Sequence, residues 1–149
     1  MQNQLVVFSI GNEFYGVDVD AVESIIKMQE ITRLPHAPEF VEGITNLRGA
    51  VVPILDLRKR FGLEAVEATR DTRIMIVNMN NTNVGMVVDA VTQVVRISAE
   101  SIDPPPQMAM TVNSAFIKGI AKLDEMLIIL LDLKKVLTVD EYERLSAAL

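Results

Sequence analysis

The sequence predicts an all-β fold: two small five-stranded β-barrels packed side by side, with short helical turns and a C-terminal helix. Three observations lead there. The chain repeats itself, its apolar residues fall in short runs separated by Asn, Asp and Gly, and helical spacing occurs only in brief pieces before the C-terminus.

The repeat has two parts. Residues 5–27 (LVVFSIGNEFYGVDVDAVESIIK) align without a gap with residues 74–96 (IMIVNMNNTNVGMVVDAVTQVVR), at an offset of 69. Gly16 then meets Gly85, and Val19-Asp20-Ala21-Val22 meets Val88-Asp89-Ala90-Val91. Residues 40–59 align with residues 116–135 at an offset of 76, which matches Gly43-Ile44 with Gly119-Ile120 and Asp56-Leu57 with Asp132-Leu133. The second copy therefore carries seven extra residues, around Pro104-Pro105-Pro106. Chance likeness between apolar strands does not reproduce glycines, DAV triplets and DL pairs in register.

Each copy reads mainly as strand. Residues 5–10 form an apolar run closed by the turn-like Gly11-Asn12-Glu13, and Val17-Asp18-Val19 alternates as a half-buried strand does. Residues 74–79, a polar turn over 80–83 and residues 84–88 repeat the design, with turn residues that tolerate left-handed backbone. Residues 43–47 and 50–56 make a third and fourth strand around Arg48-Gly49, and Asp124-Glu125 takes that turn in the second copy. Pro53 has no N–H to donate, so its strand should lie at an edge or be bulged. One such sheet buries little alone, whereas two packed together share a core. The expectation is one domain over residues 1–149, with a first barrel over 1–66 and a second barrel plus the helix over 67–149. Exchange of strands between the barrels is left open.

The helical pieces are few. Asp20 and Glu23 are spaced as a capping box, with Val22, Ile25 and Ile26 on one face. Residues 57–61 predict a turn stopped by Gly62. Thr138 as cap, Glu141 as its return and the pair Leu137 and Tyr142 predict a helix over 139–148, packed through Tyr142 and Leu145.

Composition excludes several functions. There are 149 residues, a net charge of −6 and no cysteine, so disulfides, thiolate nucleophiles and cysteine-held metal are closed. The Lys and Arg are scattered apart from Arg58-Lys59-Arg60, which does not make a nucleic-acid footprint. The one histidine, His36, stands between Pro35 and Pro38, without partners for a triad or a metal centre. Asp18 and Asp20 form a carboxylate pair, but a capping role accounts for Asp20 and Val87 replaces Asp18 in the second copy. Neither GxGxxG nor GxxxxGK occurs. The longest strongly apolar run, residues 126–131, falls far short of the roughly 18 to 20 residues that cross a bilayer, and the first residues lack the basic start of a signal peptide. A cytoplasmic protein without metal, cofactor or enzymatic activity is expected.

Two features suit contact with other proteins. Met108 and Met110 lie in the proline-rich insertion, where methionine serves as an adaptable contact residue. Arg48 occupies a hairpin tip that calls for Asn, Asp or Gly, so it adds nothing to the turn and reads either as a solvated turn residue or as an anchor for a partner.

The run FVEGITNLRGAVVPILDLRKRFG, residues 40–62, resembles the signature of the CheW-type chemotaxis coupling proteins. The opening LVVFSIGNEFYGVDVDAVESI, the later VGMVVDAV and the closing FIKGIAKLDEMLIILLDLKKVL resemble the same family in the same order, over nearly the whole chain. The resemblance is to the free adaptor, since no kinase or receiver segment is attached. It implies two SH3-like five-stranded barrels and a non-catalytic adaptor that couples bacterial chemoreceptors to the CheA histidine kinase in signalling arrays. The implied partners are the regulatory domain of the kinase and the cytoplasmic tip of a receptor. By motif position, the resemblance implicates Val19, Val22 and Gly43 of the first barrel in kinase binding. It implicates Arg48 and Val94 in holding a receptor helix between the barrels, with Gly85 and Gly119 lining that groove. Many relatives carry Glu just before the isoleucine that is Ile25 here, whereas this chain has Ser24. The alternatives are an adaptor of another kinase circuit, or a small-ligand-binding β-barrel marked by a deep polar pocket.

Overall fold

The computed structural model describes residues 2–79, 81–105, 116–137, 141 and 143. Eleven strands run in the order β1 (Gln2–Ile10), β2 (Glu13–Asp18), β3 (Val22–Lys27), β4 (Val41–Leu47), β5 (Ala50–Asp56), β6 (Arg73–Met79), β7 (Thr82–Val88), β8 (Ala90–Ser98), β9 (Ile102–Asp103), β10 (Ile117–Leu123) and β11 (Met126–Leu131). Two single-turn helices, α1 (Leu57–Arg60) and α2 (Leu133–Val136), follow β5 and β11.

These strands form two sheets, each curled into a small barrel. Barrel I has the order β8-β1-β2-β11-β10-β9, and barrel II has the order β3-β6-β7-β5-β4. The two-residue β9 is the sixth strand of barrel I. The copies exchange strands reciprocally. Barrel I takes the β1–β2 hairpin from the first copy and the rest from the second, while barrel II takes β6–β7 from the second and the rest from the first. The sheets therefore do not divide at residue 66.

The repeat holds at the level of register. Leu130 lies opposite Gly16 in the parallel pairing of β11 with β2, and Ile54 lies opposite Gly85 in the parallel pairing of β5 with β7. The β4–β5 ladder is bulged between Val41 and Gly43, and the β10–β11 ladder between Ile117 and Gly119. The Asp56 N–H donates to the Phe40 carbonyl and that of Asp132 to the Phe116 carbonyl, both at 2.8 Å. Asp56 and Asp132 then cap α1 and α2, accepting from the Arg58 and Lys134 amides at 2.9 and 3.1 Å. Burial against a Glu42 neighbour raises the Asp56 carboxyl above its ordinary pKa, desolvation being the larger cause.

The apolar residues divide into three clusters. Leu5, Val7, Ile97, Ala121, Ile128 and Leu130 fill barrel I, and Val52, Ile54, Ile74 and Ile76 fill barrel II. A third and larger cluster joins the barrels. β1 sends Val6, Phe8 and Ile10 into it, β6 sends Met75, Val77 and Met79, and Tyr15, Leu55, Met86 and Leu131 add to it. Two faces of β1 and β6 are thus buried, which is why LVVF and IMIV read as continuous apolar runs. Each such side chain contributes roughly 1.5–3 kcal/mol through burial. An aromatic file, Phe8–Tyr15–Phe61–Phe116, crosses the junction with ring centroids 5.9, 5.2 and 4.7 Å apart.

Two local expectations change. Asp20 does not begin a capped helical turn. Residues 19–21 form a single 3-10 turn whose preceding residue, Asp18, makes no side-chain cap, and Val22–Lys27 is strand with alternating burial. Pairing with β6 puts Val22, Ser24 and Ile26 on the inner side, and this overrides the local helix signal. Pro53 is not on an edge strand, because β5 lies between β4 and β7. Its partner Ile44 directs both backbone polar groups to Thr32, and the parallel ladder to β7 starts only at Ile54, so no ladder bond is lost at Pro53. Of the expected C-terminal helix only Glu141 and Glu143 are described, both helical; Thr138, Tyr142 and Leu145 lie outside the described residues, as do Met108 and Met110.

Candidate interaction surfaces

The glycines singled out from sequence turn inward. Gly43, Ile54 and Gly85 stand side by side across β4, β5 and β7, and Gly119, Leu130 and Gly16 do so across β10, β11 and β2. In each barrel one large aliphatic residue is flanked by two glycines. A Cβ on Gly85 would come within 2.5 Å of Ile54 Cδ1 and 2.8 Å of Ile74 Cγ2. Gly85 is therefore interior packing and lines no groove. Gly43 has a φ of +145°, and a Cβ there would stand 2.0 Å from the Thr32 carbonyl oxygen, the acceptor for the Ile44 N–H. Gly119 is also buried, beneath Ile102 and the Asp103 carbonyl.

The remaining candidates reach the surface. Val19 and Val22 flank the turn between β2 and β3, half-buried against the core between the barrels. Arg48 is exposed at the tip of the β4–β5 hairpin, with a φ of +53°, and Gly49 follows at +86°. Positive φ at both central residues is the two-residue loop that favours Asn-Gly, so an arginine at the first position costs on the order of 1 kcal/mol. The Asn46 side chain braces the turn by accepting from the Gly49 N–H at 2.9 Å. Asp124, at the equivalent tip, has a φ of +56° on a residue type suited to it. Val94 projects from β8 at the edge of barrel I, while Arg48 belongs to barrel II.

Exposure shows what the sequence reading missed. Among the described residues six large hydrophobic side chains are exposed, and four of them form two repeat-related pairs. Ile25 and Val94 (41% and 56% exposed) match at the first offset, and Val51 and Leu127 (both 59%) at the second. Each barrel thus shows the same two aliphatic positions to solvent, one on a sheet-edge strand and one on an inner strand. Applying the repeat offset to Val94 would have found Ile25. Beside Leu127, an open cleft of about 1000 Å³ is walled by Phe14, Pro104, Ile117, Met126 and Ile129. It is mainly apolar, with Glu13, Asp103, Lys122 and Glu125 also on its walls.

The charged groups serve structure. Arg58 grips Asp89 with two hydrogen bonds, and the Asp89 carboxyl is held below the usual carboxylate range, chiefly by Arg58. Lys59 pairs with Glu42 at 2.8 Å. Arg60 lies over the Phe40 ring and donates to the Val136 carbonyl at 2.7 Å, tying α1 to α2. Among the described residues no three His, Asp or Glu side chains are placed to hold a metal ion, and no helix is long and apolar enough to cross a membrane.

Comparison with known proteins places this arrangement. Residues 4–141 match the family model described as a CheW-like domain. The chain is 38% identical to the chemotaxis protein CheW of Klebsiella aerogenes, over 93% of this chain and 83% of that protein. It is 33% identical to CheW of Thermotoga maritima, over 90% of this chain and 87% of that one. Among solved structures it is similar to the scaffolding protein TtCheW of Thermoanaerobacter tengcongensis, with a TM-score of 0.87 and 42% identity, covering 95% of this chain and 96% of that one.

Proposed function

Because the chain belongs to the CheW-like domain family, we propose that it is a non-catalytic adaptor that couples bacterial chemoreceptors to a CheA-type histidine kinase in the cytoplasm. The carrying observation is the repeated exposure of Ile25 with Val94 and of Val51 with Leu127. Aliphatic side chains exposed at equivalent positions of both barrels suit a body that touches two partners. The names of the relatives, chemotaxis protein and scaffolding protein, agree with this reading.

In this reading the kinase regulatory domain docks on barrel II near Val19 and Val22, and Gly43 shapes that face through its backbone. The receptor tip, a helix, lies where Arg48 and Val94 reach it, in the manner of an apolar helix seated in a groove. Two modest contacts on one small body gain from effective concentration once an array forms. The protein stays in the cytoplasm and reaches the membrane only through its receptors.

The test is a binding titration with purified receptor tips and kinase regulatory domain. Arg48→Ala is expected to weaken receptor binding about tenfold or more, the effect of a hot-spot residue, with unchanged circular dichroism. Wild-type protein that binds neither partner would end the proposal.

A further inference from the structure

The chain passes between the barrels at two places. One is the turn over residues 19–21, between β2 of barrel I and β3 of barrel II. The other is a single residue, Asp89, between β7 of barrel II and β8 of barrel I. The repeat makes Asp20 and Asp89 equivalent, and likewise Lys134 and Arg58. Their surroundings differ.

Asp89 is held from both sides. From barrel II, Arg58 donates through Nε to Oδ1 at 3.0 Å and through Nη2 to Oδ2 at 2.6 Å. From barrel I, the Gly11 N–H donates to Oδ2 at 2.8 Å, and the Asp89 N–H itself donates to the Ser9 carbonyl at 3.0 Å. A planar guanidinium that meets a carboxylate edge-on fixes direction as well as distance. At the other crossing, among the described residues, Asp20 makes no side-chain hydrogen bond and Lys134 no ion pair. Among the described residues, apart from the apolar core and the bonds of Arg60 to Val136 and Glu141, one of the two crossings is pinned by charged side chains and the other is not.

We infer that Asp89 and Arg58 are positioning residues that set the angle between the barrels, pinning one crossing and leaving the other to yield. The angle fixes how far apart the equivalent aliphatic positions stand. On the adaptor reading, it therefore governs whether both partners fit together.

The chain has no cysteine, so a double-labelled K27C/A99C protein carries one spin label at the far end of β3 and one just past the far end of β8. In the parent the distance distribution should be narrow. Asp89→Asn and Arg58→Lys, added separately, should broaden it and move its mean, with Arg58→Lys intermediate because an ammonium cannot reproduce the paired contact. Lys134→Ala, at the loose crossing, should leave it unchanged. Folding is monitored by circular dichroism, and Arg58→Lys remains informative if Asp89→Asn does not fold. A folded variant that melts earlier with the parent distribution overturns the inference, since the pair would then be merely stabilising. So does a shift with Lys134→Ala equal to that with Asp89→Asn. None of these readouts needs a partner, so failure of the adaptor reading would show separately, in the binding titration.

Discussion

The two barrels are built from equivalent residues, yet barrel II is the tighter. Around its central Ile54 the flanking glycines have no spare room: a Cβ on Gly43 would overlap backbone at 2.0 Å and one on Gly85 would meet Ile54 at 2.5 Å. Around Leu130 of barrel I the same distances open to 3.0 Å at both Gly119 and Gly16. Gly43 also carries a positive φ that Gly119 does not share. Equivalent sequence marks do not carry equal energetic weight, because a glycine matters through what stands over it.

The largest expected effect follows directly. Gly43→Ala combines a strained φ with overlap on the Thr32 carbonyl and should cost about 3 kcal/mol or more in chemical denaturation. Gly119→Ala should cost about 1 kcal/mol, and equal losses would refute the difference in packing. Next comes Gly85→Ala, at about 1–3 kcal/mol, against a near-neutral Gly16→Ala, where the smaller entropy of the unfolded alanine chain offsets slight crowding. Arg48→Asn should go the other way. Relief of the left-handed arginine should raise stability by up to about 1 kcal/mol while receptor binding falls, whereas Asp124→Asn should change neither. A variant that keeps full receptor affinity would show that the hairpin strain has no bearing on binding.

The smallest effect is electrostatic. Asp89 has its pKa lowered by Arg58, so its contribution is present above the ordinary carboxylate pKa and is lost as pH falls through the lowered folded value. Asp56, raised by burial, works in the opposite direction: it favours folding at acid pH and less so once ionised. The stability gap between wild type and Asp89→Asn should therefore be level from pH 7 to about 5 and close below about 4, with a size on the order of 1 kcal/mol or less. Added salt should shrink it. Asp89 lines a small cavity between β5, β7 and the 66–72 segment, whose other charged groups are Arg58, Glu42, Asp56 and Glu67, so Asp56→Asn serves as the control.

Several expectations went astray where two elements compete for the same segment. Asp20 and Glu23 have capping-box spacing, but a strand edge on β6 was waiting for Val22–Lys27, and pairing prevailed. Gly85 was placed in a groove by the family resemblance alone; the group that stands over it is Ile54 of the same barrel. Asp89 stood inside a visible DAV triplet, yet its binding to Arg58 joins residues 31 apart and leaves no mark on local periodicity.

The sequence by itself determined the tandem β units, their turns, the matched DL pairs and the family to which the chain belongs. Those depend on alternation, turn chemistry and motif spacing, which are local. Only the tertiary structure decided which copy pairs with which. Equivalent strands present the same hydrogen-bonding edge and the same apolar face, so swapped and unswapped pairings satisfy one pattern equally well. The choice rests on contacts made across the junction, from the aromatic file to Asp89, between residues far apart in the chain.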